Sequence, residues 1–340
     1  MKPCNLLPDS AKYVHASAFI LALSALIGGV SVCSSQKSRP EPLPLPFFDE
    51  RPFQLNCADR PSPPPPGVHA WFTVSPQAPY ARTHLDTVNI PLREVAALTI
   101  AAEPLNWIKI GAARQDHWTI HFCAKGEGDS ADEANGYMQK VSMQRTGSLI
   151  TLNKTDARGL TGGQGELLLE APVEAPVTVH SDAAVEIHDM AGPVRIAAMH
   201  GRAVVLNTSG LVNVAANLID FAGSQGDVSL SAPWDINIEF TAQQFRGNLN
   251  AYADRQVLAI LPPDFQTPIR IYVNRPKDFI CHADICSKMK QDRENNLYRF
   301  TYGDVANAPA PITLRSENAQ VTLETTPQTR HPSFAPPTGY

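Results

Sequence analysis

The sequence predicts an all-β protein in which short strands stack into a β-solenoid, and three observations predict it. Apolar residues recur in i, i+2 pairs: Val185-x-Ile187, Val194-x-Ile196, Val204-x-Leu206, Val212-x-Val214, Ile219-x-Phe221, Val228-x-Leu230 and Ile236-x-Ile238. Turn formers separate them, among them Gly192-Pro193, Gly201, Ser209-Gly210, Gly223, Gly226-Asp227 and Pro233. The pairs return about every eight to ten residues, and units so small bury their apolar faces only by stacking on one another.

Taken in order, the 340 residues begin with an uncharged stretch, Tyr13 to Gln36, holding the apolar run Phe19 to Ile27. About 20 apolar residues cross a bilayer as a helix, so 13–36 reads as a transmembrane signal anchor, behind a flank of residues 1–12. A cleaved signal peptide is the alternative; a lipoprotein signal at Cys33 is disfavoured by Val32 before it. Each of these readings puts the rest of the chain outside the cytoplasm. Residues 37–67 form a Pro-rich linker, with ten prolines between Arg39 and Gly67. Such a segment is extended, a spacer that gains about 3.1 Å per residue.

The β domain is expected over 68–325. Leu98-x-Ile100, Ile108-x-Ile110, Trp118-x-Ile120-x-Phe122 and Val141-x-Met143 carry the alternation upstream of the repeat. His117, Thr119 and His121 share the face opposite Trp118, which reads as a solvated strand face, since no third ligand lies nearby for a metal. Gly162-Gly163-Gln164-Gly165 lacks the Gly-Lys-Ser/Thr ending of a phosphate loop and reads as a flexible turn.

In the repeat, outward positions are Glu186, Arg195, Val205, Asn213, Asp220, Ser229 and Asn237. Strands near 185, 204, 219 and 236 are expected in one parallel sheet, and those near 194, 212 and 228 in the facing one. An antiparallel sandwich has the same alternation.

These Gly-punctuated pairs (Ala191 to Ile196, Ser224 to Leu230), with a closing strand Ile312 to Leu323, resemble a bacterial putative adhesin family with β-strand repeats whose function is not established. The resemblance covers Leu98 to Glu324. It is strongest to acidobacterial-type members, through Leu261 to Pro268 and Leu297 to Tyr302, and it implies a right-handed β-helix or related β-solenoid. It brings no catalytic residues. Asn318-Ala319 stands where a hairpin turn is expected.

Cys281 and Cys286 flank His282 and Asp284. A turn between them would let the thiols form a disulfide, the favoured chemistry outside the cytoplasm; a metal site there would be cramped. The pairing of Cys57 and Cys123 stays open. Lys288 to Asn296 reads as a polar loop and 326–340 as a disordered tail.

A net charge of −5 and the lack of a basic run argue against nucleic acid as partner. The sequence therefore points to a non-enzymatic cell-envelope protein, membrane-bound through its N-terminal helix. Its β-solenoid would be presented outside as a binding, adhesion or scaffolding surface for an envelope or extracellular ligand, with no cofactor. The alternatives are a secreted soluble adhesin and a solenoid carbohydrate-active enzyme. The latter would use Glu186 and Asp220 as acid/base pair, two rungs apart with Val205 between them, about 9.6 Å at strand spacing.

Overall fold

The computed structural model describes residues 57, 80–103, 106–154, 162–305, 311–318 and 320–325. The anchor or signal at 13–36, nearly all of the linker and the tail at 326–340 lie outside the described residues. Among the described residues, no helix is long and apolar enough to cross a membrane.

The chain enters with β1 (Tyr80–Pro91), β2 (Leu98–Ala102), β3 (Asn106–Ala113) and β4 (His117–Gly128). Helix α1 (Ala131–Met138) follows, then β5 (Val141–Thr146), β6 (Leu149–Lys154) and β7 (Gly163–Pro172). Next come β8 (Val177–Ser181), β9 (Ala184–His188), β10 (Val194–Leu206) and β11 (Leu211–Gly223). The repeat continues through β12 (Gln225–Ala232), β13 (Asp235–Phe240), β14 (Arg246–Ala253) and β15 (Gln256–Leu261). The last part holds β16 (Ile269–Val273), β17 (Phe279–His282), β18 (Lys290–Glu294) and β19 (Leu297–Tyr302). It ends with β20 (Ile312–Ser316) and β21 (Gln320–Thr325).

Two parallel ladders run through these strands. The first runs β6–β2–β8–β10–β11–β12–β14–β20–β16. The second runs β7–β3–β9–β10–β11–β13–β15–β21–β17. Long strands β10 and β11 belong to both: their first halves lie in the first ladder, their second halves in the other. The β10–β11 register shifts between Ala198 and Arg202, where the chain turns from one ladder to the next. The repeat is therefore all-β and parallel, not an antiparallel sandwich.

Alternation explains the core. Along β12 every second residue is buried, so Val228, Leu230 and Ala232 point in while Asp227, Ser229 and Ser231 point out. Glycines sit where successive layers pack backbone to backbone: a Cβ on Gly210 would lie 2.3 Å from the Ala191 carbonyl oxygen, and one on Gly247 2.3 Å from that of Gly226. No side chain fits such gaps, hence the glycine punctuation.

Chain order and layer order part company at both ends. Strands β2 and β3 lie between β6/β7 and β8/β9, although the chain makes β4 to β7 after them. At the other end β20 sits between β14 and β16, and β21 between β15 and β17. The expected single closing strand is thus two strands in different ladders, and Asn318 lies at a corner between them rather than in a hairpin. The reason is that β20 and β21 fill a rung that the chain left vacant between Leu261 and Ile269.

Antiparallel strands and α1 flank the stack. Strands β4 and β1 extend the second ladder beyond β7, and β5 pairs with β6. Trp118 of β4 is fully buried and its indole N–H donates to the Val95 carbonyl at 2.7 Å. At the far end β19 pairs with β16 and β18 with β19. Lys288 to Asn296 is accordingly no loop: Lys290–Glu294 is a strand, turned back by Asn295 and Asn296, which both take positive φ. Its sequence, Lys-Gln-Asp-Arg-Glu, gives the array a charged edge that resists pairing with another sheet.

Gly162 to Gly165 is also more than a flexible turn. Gly163 and Gly165 lie in β7 opposite Gly126 and Ala124 of β4. A Cβ on Gly126 would lie 2.0 Å from the Ala134 carbonyl oxygen, so the glycine lets α1 pack onto the strands. Ser130 caps α1, accepting from the Glu133 N–H at 3.2 Å, while Glu133 accepts from the Asp129 N–H at 2.9 Å.

Candidate functional site

The expected register fails at one pair. Ala203 and Val205 are fully buried, whereas Val204 is half-buried on the outer face. The run Ala203-Val204-Val205-Leu206 is apolar throughout, so alternation alone could not choose its inward face. Across the corner the inward positions change from even (Val194, Ile196, Ala198) to odd (Ala203, Val205), as they do in β11, and β10 holds two more residues there than β11.

Glu186 and Asp220 do lie two rungs apart, but Val204, not Val205, stands between them. Glu186 is 2.6 Å from the His188 ring. Asp220 is buried although it points outward. Arg202 Nε donates to its Oδ2, and Asn237 Nδ2 donates to its Oδ1 at 2.8 Å. Both carboxylate oxygens are thus held by fixed donors, a clamp across three layers rather than a group poised for proton transfer.

Beside it lies Asp235, buried, with Arg255 Nε 3.3 Å from its Oδ1. Burial pushes its carboxyl up, against the pull of Arg255 and with a push from Asp220. A raised folded-state pKa means that the native state holds more protons than the unfolded chain. Stability is then greatest below the unfolded pKa and falls as pH climbs through the raised value. Asp235→Asn should therefore raise the melting temperature at neutral pH, with the gain vanishing on acidification. Melting curves across pH check this; a less stable variant at pH 7 would show that the Arg255 pair outweighs burial.

His121 Nδ1 lies 3.0 Å from Thr87 Oγ1, and His117 pairs with Asp116 at 3.1 Å. Among the described residues, no group of three His, Cys, Asp or Glu side chains is placed to hold a metal. Cys281 and Cys286 are disulfide-bonded, with Cα atoms 5.8 Å apart across the end of β17. Cys57 is bonded to Cys123 on the outer face of β4, closing a separation of 66 residues.

The feature best shaped to meet a ligand is the outer face of the first ladder. Two rows of side chains cross it at right angles to the strands. One runs Thr178, Arg195, Asn213, Ser229, Asn250, Thr313, Arg270. The next runs His180, Ala197, Ala215, Ser231, Tyr252, Arg315, Tyr272, Arg299. Where the second row is small, at Ala197, Ala215 and Ser231, the surface sinks into an open hollow of ≈ 430 Å³ between His180 and Arg195 on one side and Ser229 on the other. A second hollow, ≈ 490 Å³, adjoins it through His180 and Ala197 and reaches Glu103 and Asp182.

Toward the C-terminal end the floor rises into a Tyr–Arg–Tyr–Arg ladder. The Arg315 guanidinium lies 5.6 Å from the Tyr252 ring centre. Tyr252 donates to Asp254 at 2.8 Å and Tyr272 to Glu294 at 3.0 Å. Burial first, then these carboxylates, pushes both phenols up, so both stay neutral donors with fixed rings. Arg299 is tied to Asp292 and to Glu294, the latter at 2.6 Å. Tyr252, Tyr272 and Arg315 did not stand out in the sequence, and Arg299 entered only as part of the Leu297 to Tyr302 stretch. Their row exists only because β20 inserts between β14 and β16.

No protein-family model and no curated protein matches the sequence. Among solved structures the chain is similar to a "putative adhesin" from Bacteroides fragilis (10% identity, TM-score 0.34), covering 72% of this chain and 97% of that one. It is similar to a "putative cell adhesion protein" from Clostridium sporogenes (9% identity, TM-score 0.29), with coverages of 72% and 99%. A "putative lipid binding protein" from Parabacteroides distasonis gives 8% identity, TM-score 0.23 and coverages of 72% and 94%. Likeness at this level assigns neither fold nor function.

Proposed function

We propose that this chain is a non-enzymatic cell-envelope protein whose β-solenoid offers an open outer face as a binding surface outside the cytoplasm. The observation that carries the reading is the two-row polar face of the first ladder. It is open, shallow and continuous over many layers, the form of a surface that meets an extended partner rather than one that encloses a small substrate. The layered parallel ladders support the solenoid. The two disulfides support an oxidising compartment. The uncharged stretch Tyr13 to Gln36 supports a single-pass anchor. The hydrogen bonding of Asp220 to Arg202 and Asn237 favours a binding role over glycoside hydrolysis through Glu186 and Asp220.

Fractionation of the cells that make the protein tests it. The full-length chain should pellet with membranes, resist a carbonate wash, and co-sediment with isolated cell-wall material when supplied in detergent. A soluble chain with an N-terminus beyond residue 30 would replace the anchor by a cleaved signal. Failure to co-sediment would remove the binding role.

A further inference from the structure

We infer that the outer face of the first ladder binds an acidic polysaccharide laid across the strands, from Arg195 to Arg270; this rests on the binding role proposed above. Five rungs separate the two arginines, about 24 Å at the usual strand spacing. Between them the row presents only amides and hydroxyls: Asn213, Ser229, Asn250 and Thr313. Hydroxyl and amide groups at every rung suit a polymer that carries hydroxyls at every residue.

Charge names the sign of the partner. The chain as a whole is −5, and carboxylates touch the second row at Tyr252, Arg315 and Tyr272, but the first row, from Thr178 to Arg270, holds none. Arg195 is exposed and has no partner among the described residues. Arg270 meets the Val305 carbonyl at 3.3 Å rather than a carboxylate. Two guanidiniums at the ends of a neutral polar row bind carboxylates on an extended chain, bidentately where geometry allows. Tyr252 and Tyr272 stand two rungs apart, about 9.6 Å, the reach of a disaccharide. Their rings, fixed by Asp254 and Glu294, are half-buried, with Arg315 against Tyr252, and their uncovered parts give apolar surface for sugar rings.

Other partners fit less well. An extended peptide adds to a sheet edge, whose backbone groups are free; here the strands that carry the rows, β8, β10, β11, β12, β14 and β20, are each paired on both sides. A bilayer surface needs an apolar band, and the row from Asn213 to Thr313 has none.

Affinity electrophoresis of the full-length protein in detergent, through gels containing polygalacturonate, tests the inference. Migration should be retarded, less so as salt rises. Fully methyl-esterified polygalacturonate, the same backbone without charge, should retard it little. Arg195→Ser and Arg270→Ser should each weaken retardation roughly tenfold or more, and Arg195→Lys should restore part of it. Tyr272→Ala should weaken it at unchanged salt dependence. No retardation, equal retardation of the doubly substituted protein, or equal retention by polyglutamate would overturn it. Cell-wall co-sedimentation surviving such a result would leave the broader binding role standing; its loss together with polygalacturonate binding would remove both.

Discussion

Val205→Asn is expected to cost roughly 3–5 kcal/mol, or to prevent folding, while Val204→Asn costs about 1 kcal/mol or less. Val205 is fully buried against the shared core, in register with Ile187 and Phe221 of the neighbouring layers. An amide there finds no hydrogen-bond partner, and the apolar burial of the valine is lost as well. Val204 stands on the outer face between Glu186 and Asp220, where an amide meets solvent and carboxylates. Asparagine serves better than aspartate, since a charge at 204 would also repel both neighbours. Urea unfolding of the two variants measures the difference. Equal losses would mean that the outer face is as dry as the core; a reversed order would restore the register read from alternation alone.

That one pair shows what alternation can and cannot carry. Where a polar residue separates two apolar ones, as in Val228-Ser229-Leu230 or Ile236-Asn237-Ile238, the inward face is legible from sequence. Four apolar residues in a row, 203 to 206, have no such marker, and only the corner between Ala198 and Arg202 decides. Alternation also says which way a side chain points and nothing about which strand lies beside it. Only the structure fixes the direction of neighbours in the repeat as parallel; their adjacency follows from short turns and regular spacing. The pairing of Leu98 with Val177, or of Leu249 with Ile312, does not. The Tyr252–Arg315–Tyr272–Arg299 row, assembled from four separate strands, was therefore invisible. Helix α1 and the β18–β19 hairpin went unread although local signals mark them: Ser130 followed by Glu133 is a capping box, and Asn295-Asn296, read as part of a polar loop, is a hairpin turn.

Burial on an outer face is the other thing the sequence conceals. Asp220 obeys the alternation and points away from the core, yet Arg202 and Asn237 close over it. A carboxylate that reads as solvated is instead a cross-layer tie, joining β10, β11 and β13. The same logic distinguishes Asp235, whose Arg255 partner lies largely in solvent and compensates its burial less.

Ending the chain at residue 305, without β20 and β21, should abolish cooperative folding, whereas ending it at 325 removes no described strand. The two strands bury Ile312, Leu314, Val321 and Leu323 completely. At about 1.5–3 kcal/mol for each such side chain, they contribute on the order of 6–12 kcal/mol, comparable with the whole stability of a typical domain, about 5–15 kcal/mol. Their place in the stack makes the loss worse than a trimmed end. They are the rung between β14/β15 and β16/β17, so their removal opens four ladder edges and leaves the Phe279–Phe300 cap without the layer it closes. Exposed parallel edges invite association with other chains. The shortened protein should therefore lack a sharp thermal transition by circular dichroism and elute as aggregates. Leu314→Ala and Leu323→Ala in the full chain should each cost about 2–5 kcal/mol. Because these are the last of the described strands and must enter between layers already present, the two variants should also change the folding rate if the rung forms before the stack closes. If it forms afterwards, they should change only the unfolding rate. A chain ending at 305 that melts cooperatively at the temperature of its parent would mean that β16/β17 docks directly on β14/β15, and that the interleaved order does not hold in solution.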